Sequence, residues 1–69
     1  MNQNQTLVLN TLLEYGAVTP DWASRVVGLK KVSVAKILRK LSAEYPIERR
    51  YSKGMRAYQY VLDRTLDVV

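Results

Sequence analysis

Apolar side chains recur at helical spacing in three separate stretches of this chain. Val8, Leu9, Leu12 and Leu13 form one stripe, which predicts a helix over residues 5–15 with Asn4 as its cap and Gly16 as its left-handed stop. Ala17-Val18 follows as an extended link, too short for more than a token edge strand. Thr19-Pro20-Asp21 opens a second helix: a capping hydroxyl, a proline at the first helical position, and an acid at the positive end. It runs to about Val27, presents Ala23, Val26 and Val27 with Trp22 partly buried beside them, and breaks at Gly28. A third helix is expected from about Lys31 to Glu44, with Val34, Ile37, Leu38 and Leu41 inside an arc of about 100°. Pro46 forbids its continuation and pushes Tyr45 toward extended geometry. A hairpin comes next, with arms Ile47–Tyr51 and Ala57–Leu62 around the turn Ser52–Arg56. Tyr51, Tyr58, Tyr60 and Val61 supply strand propensity, and Gly54 is the expected source of positive φ. Residues 63–69 fit a short helix, an added strand or a frayed end equally well, and no internal repeat or low-complexity stretch is present.

A lone two-stranded hairpin is marginal in water, so this one must pack on the helices. Tyr58 and Tyr60, on one face of their strand, are expected to make that contact, and Tyr15 and Trp22 to lie in the core or at its rim. The fold class is therefore α+β, mainly α: a three-helix bundle with a C-terminal two-stranded hairpin, one domain over residues 1–69 with its core at about 5–62. Pro20 to Leu41 fits the template of two short helices crossing closely through a sharp turn. Ala23 and Val27 are core positions, Ser24 is small at the crossing, Gly28 makes the turn, Leu29 plugs it, and Val34 and Ile37 anchor the second helix. On these residues the chain, from Leu7 to Leu62, resembles the winged helix-turn-helix families of bacterial transcription regulators. It departs from them at Ser24, where they usually carry Ala. The hairpin Ser52–Leu62, a basic-Gly-Met turn followed by alternating aromatics, is similar to the wing of the very small regulators of fimbrial operons. That resemblance implies a single-domain DNA-binding regulator working beside a larger regulator.

Composition narrows the chemistry. Sixty-nine residues leave room for one modest core, and 48% apolar with 25% charged residues is ordinary for a globular domain. No apolar run approaches the roughly 20 residues of a membrane span, and the N-terminus lacks a cationic leader, so a cytoplasmic protein with no membrane partner is expected. With no Cys and no His, disulfides, thiolate nucleophiles, Cys/His zinc sites and imidazole bases are outside the inventory. The acids are scattered, the serines have no His partner and the glycines are isolated, so neither an enzyme nor a cofactor site is expected. The net charge of +5 is concentrated: ten of the 11 cations lie between Arg25 and Arg56, where only Glu44 and Glu48 are acidic. A basic middle between acidic flanks has the electrostatic outline of a polyanion-binding surface.

The third helix carries the functional expectation, because a helix fits the DNA major groove with its N-terminal half nearest the base edges. Lys36 can reach guanine O6 and N7, Ser33 a base or phosphate, and Val32 and Ala35 a thymine methyl. Lys30 and Lys31 at the helix start, and Arg39 and Lys40 further along, suit phosphates. On the hairpin, Arg49, Arg50, Lys53 and Arg56 can enter the minor groove or clamp the flanking backbone, although charges there also protect an edge strand. Two other readings use the same residues: an interaction module for an acidic protein partner, and a replication, partition or excision factor of a mobile element. One small module buries little surface on DNA, so a homodimer through the first helix or the 62–69 tail, binding to tandem sites, or a larger regulator as partner is expected. Lys36→Ala is expected to change base preference, and Lys53→Ala to weaken all duplexes about equally. Selection from a random duplex library checks this, and equal effects of the two substitutions would overturn the assignment of roles.

Overall fold

The computed structural model describes residues 2–63 and contains three helices and a three-stranded antiparallel sheet. The first helix, α1 (Gln3–Tyr15), begins two residues earlier than its apolar stripe predicts. Asn2, not Asn4, is the cap: its side chain accepts from the Gln5 amide, and the Gln5 side chain accepts from the Asn2 amide. This reciprocal pair satisfies two helix-end donors that a cap at Asn4 would leave inside the helix. Gly16 closes α1 in the left-handed conformation, and its carbonyl accepts from Leu62, tying the helix end to the sheet.

The link Ala17–Val18 is a true strand, β1. It turns directly into α2 (Pro20–Val27), whose Thr19 hydroxyl accepts from the Trp22 amide as expected. Gly28, at φ +74, ends α2, and the amides of Gly28 and Leu29 both donate to the Ser24 carbonyl. This tight turn launches α3 (Lys31–Glu44). Pro46 follows, and the chain forms β2 (Ile47–Ser52) and β3 (Ala57–Leu62). The strand order is β1-β3-β2, so β3 is central and the wing is a three-stranded sheet rather than a bare hairpin. The architecture is that of a winged helix-turn-helix.

Every element except β2 contributes to one core: Val8 and Leu12 from α1, Val18 from β1, Ala23 from α2, Val34, Leu38 and Leu41 from α3, and Tyr60 from β3. Leu9, Val27, Leu29, Ile37, Ile47 and Leu62 pack around it. Several expectations about burial are corrected. Leu13 and Val26 are about half exposed, because α1 and α2 are each covered on a narrower arc than their apolar residues span. Thr11 is buried in their place, its hydroxyl donating to the Leu7 carbonyl at 2.9 Å. Tyr60 packs the wing onto the helices, but Tyr58 is 48% exposed and does not. In the wing turn the left-handed residue is Arg56, φ +52, and not Gly54. Ser52 pairs with Ala57, so the turn is four residues long, and its last residue makes the reversal that returns the chain to β3.

A Cβ built on Gly28 meets no atom within 4 Å, so only its left-handed backbone resists a side chain. Gly28→Ala is therefore expected to cost about 1 kcal/mol, while Gly54→Ala, with neither crowding nor positive φ, changes stability little. Urea denaturation of the two variants compares them; equal costs would show that Gly28 is not needed for its φ.

Candidate nucleic-acid interface

The site is assembled by two periodicities. On α3, core residues Val34, Leu38 and Leu41 fix the inward side. Lys31, Ala35 and Arg39, spaced by four, then form a row along the flank. On the sheet, side chains alternate between faces. Tyr60 is buried against the helices, so Tyr58 on β3, and Arg49 and Tyr51 opposite them on β2, share its face. The helix flank and this sheet face meet in a groove of about 270 Å³. Lys31 and Arg39 line one wall and Arg49 and Arg56 the other, with Pro20, Ala35, Ala57, Tyr58 and Tyr60 between them. No acid contributes to the lining.

Among the described residues no ion pair engages the groove cations. The ion pairs among those residues are Arg25–Asp21, at 3.1 Å along α2, and Arg50–Glu48, at 2.8 Å along β2. The first turn of α3 carries no acid, and its cap residue Lys30 makes no side-chain capping bond, so the positive end of the helix dipole is uncompensated beside Lys30 and Lys31.

Apart from Ala35, which is half-buried in the groove lining and not free to meet a thymine methyl as expected, the residues expected from sequence to contact DNA are exposed, but they fall into distinct groups. Lys31, Arg39, Arg49 and Arg56 converge on the groove. Val32 and Lys36 stand on the outer ridge of α3, opposite its core stripe, and Val32 is 67% exposed, the most exposed large apolar side chain described. Ser33 and Lys40 occupy the flank of α3 away from the groove row, and Lys53 sits in the wing turn. Arg50 is on the sheet face opposite Arg49, and its guanidinium donates to Glu48. That hydrogen bond, reinforced by the pair's attraction, holds the Glu48 carboxyl below its ordinary range and the Arg50 guanidinium above its own.

Tyr58 and Pro20 line the groove and were not anticipated as site residues. The signal for Tyr58 was its alternation with Tyr60, which places both on the face that also carries Arg49. A second concavity of about 340 Å³ lies behind the wing, where Tyr15 and Trp22 pack edge to face at 4.8 Å beside Met55 and Gln59. Tyr15 and Trp22, 55% and 38% exposed, thus pack on each other at the surface and not in the core or at its rim as expected. This larger hollow has no charged side chain in its lining, so it offers nothing to a polyanion. Among the described residues, no helix is long and apolar enough to cross a membrane, and no three His, Cys, Asp or Glu residues cluster to hold a metal.

No protein-family model matches this chain, and none of the curated proteins matches it by sequence. Among solved structures, that of AbfR in its disulfide-formed state is similar, with a TM-score of 0.77 and 23% identity over 94% of this chain. The likeness is one of fold, and the present chain spans 45% of the length of that one. The 69 residues contain no Cys, so the disulfide of that state has no counterpart in them.

Arg56 holds a left-handed backbone that glycine adopts at no steric cost. Arg56→Gly is expected to raise stability by about 1 kcal/mol, a gain of roughly 4–8 °C in Tm for a domain of this size, while removing one groove cation. Thermal denaturation beside Arg56→Ala, which keeps the strain, measures it; a lower Tm for the glycine variant than for the alanine variant would refute strain at this position.

Proposed function

We propose that this chain is a sequence-specific double-stranded DNA-binding domain of a small transcriptional regulator, cytoplasmic and non-catalytic. In this reading α3 occupies the major groove and the wing, residues 47–61, lies on the backbone or in the minor groove. The observation that carries the reading is the convergence of Lys31, Arg39, Arg49 and Arg56, from two different elements, on one acid-free groove beside the outer ridge of α3. A surface cation is ordinarily solvated and dispersed. Four gathered from residues far apart in sequence, on a rigid scaffold, create a local positive potential suited to a row of phosphates.

The groups of exposed residues suggest a division of labour. Val32, Ser33 and Lys36, near the α3 N-terminus, face the base edges: Val32 offers a methyl-sized apolar contact to thymine, and Lys36 donates to guanine. Lys30, Lys31, Arg39 and Lys40 take phosphates on either side of the helix. Arg49, Lys53 and Arg56 extend the contact along the wing, while Arg50 joins it to the extent that Glu48 releases it. A single module of this size binds weakly, so a second copy of the chain or a larger regulator completes the assembly. Wing contacts and helix contacts serve transcription, replication or excision equally, because docking obeys the same physics in each.

Titration with duplex DNA at increasing salt tests the reading. If about six phosphates are neutralised, log K falls with log salt at a slope near −5. A flat salt response would overturn it, and an acidic protein partner is favoured instead if random duplex leaves the α3 resonances unperturbed.

A further inference from the structure

The wing carries two neighbouring arginines in opposite circumstances. Arg50 donates to the Glu48 carboxylate at 2.8 Å, and so has a guanidinium already engaged by an acid. The Arg49 side chain, on the other face, makes no hydrogen bond or ion pair with any described residue. Its Cζ instead lies over the Tyr58 ring, 4.3 Å from the centroid. Tyr58 in turn packs edge to face against Tyr51, ring centroids 5.3 Å apart and planes at 74°.

Tyr58 does little for the core. It is 48% exposed and Tyr51 55%, whereas Tyr60, with Leu62, carries the apolar contact between β3 and the core. A tyrosine left half in water on the wall of a cationic groove, with Tyr51 packed against it, therefore has its contact with Arg49 as its main structural consequence.

Resting on the DNA-binding reading, we infer that Tyr58 is a positioning residue for Arg49, and that the Tyr51–Tyr58 pair is a shelf holding this guanidinium ready for the DNA phosphate backbone. The attraction between a cation and a ring face uses none of the guanidinium N–H donors. All five remain for phosphate oxygens, which the planar fork matches two at a time. A long arginine side chain otherwise loses much rotamer freedom on binding, and a shelf that restricts it beforehand reduces that loss. The arrangement also explains why the free cation is Arg49 and not Arg50: the register puts Arg49 on the tyrosine face and Arg50 on the glutamate face.

The test compares Tyr58→Phe, Tyr58→Leu, Arg49→Ala and the Arg49→Ala/Tyr58→Leu double variant in duplex titrations at one salt concentration, with Arg49 side-chain proton shifts recorded in the free proteins. Tyr58→Phe keeps the ring and is expected to bind within about twofold of the parent, whereas Tyr58→Leu loses about fivefold, the size of an exposed cation–π contact. The double variant should bind no more weakly than Arg49→Ala alone, and the ring-shifted Arg49 protons should return to ordinary positions in Tyr58→Leu. Additive losses, or Tyr58→Phe as damaging as Tyr58→Leu, would overturn the positioning role while leaving DNA binding intact. Absence of duplex binding by the parent would instead overturn the DNA-binding reading and this role with it, whatever the proton shifts show about the shelf.

Discussion

The burial of Tyr60 is the constraint on which the cationic groove depends. Tyr60 sits on the central strand, 3% exposed, opposite Arg49 on β2 and Val18 on β1. Side chains in a sheet alternate with a period of two, so anchoring one position settles the face of every other. With Tyr60 turned to the helices, Tyr58, Arg49 and Tyr51 must share its side, and Arg50, Glu48 and Gln59 must take the reverse. A slip of one residue would bury Gln59 or Val61 instead and would exchange Arg49 for Arg50 in the groove. Loss of one apolar contact would therefore displace charge as well as reduce stability.

That anchoring opposes a repulsion. Four like charges around one groove disfavour each other, and water with physiological salt screens them only beyond about 8 Å. The core supplies the opposing force, with Val8, Leu12, Val34, Leu38 and Leu41 fully or almost fully buried. Each such side chain contributes on the order of 1.5–3 kcal/mol relative to exposure. Surface repulsions of fully hydrated cations are smaller, so the core prevails and the groove keeps its charge. The acids are arranged to leave it so: Asp21 is bound to Arg25, and Glu48 to Arg50, each on another part of the surface.

Much of this was legible in the sequence because the decisive signals are local. Thr19-Pro20 and Gly28 punctuate α2 within the chain itself, and Pro46 stops α3, so those bounds match. The start of α1 was misplaced because Asn2 and Asn4 are equally good caps by type, and only Gln5, three residues beyond Asn2, distinguishes them. Arg56 as the left-handed residue was not legible. Gly54 is the cheaper occupant of such a conformation, and the strand register, not propensity, decides which residue must turn. The groove row Lys31-Ala35-Arg39 escaped for a different reason: a helical wheel gives the direction opposite the core but not the direction of the wing. Periodicity places Val32, Lys36, Arg39 and Ala43 opposite the core stripe, while only the packing of sheet on helix shows that Arg39 borders the walled flank.

The wall changes what the two sets of cations can do. A ridge standing clear of the protein, as at Val32 and Lys36, can enter a groove about 12 Å wide and approach base edges. A residue inside a trough between helix and sheet cannot follow it there, because the wing stands beside it. What fits a trough lined on both walls by cations is a convex, negatively charged rail, and a DNA strand's phosphates form one along the border between the major and minor grooves. In the proposed docking, with α3 in the major groove, that border would run between α3 and the wing, where the groove-lining Lys31 and Arg39 would meet it from one side and Arg49 and Arg56 from the other. A rail fixed in the trough would then set the depth and tilt of the outer ridge. The backbone contacts of that docking, which carry no sequence information themselves, would be what lets Lys36 and Val32 read one base pair and not its neighbour.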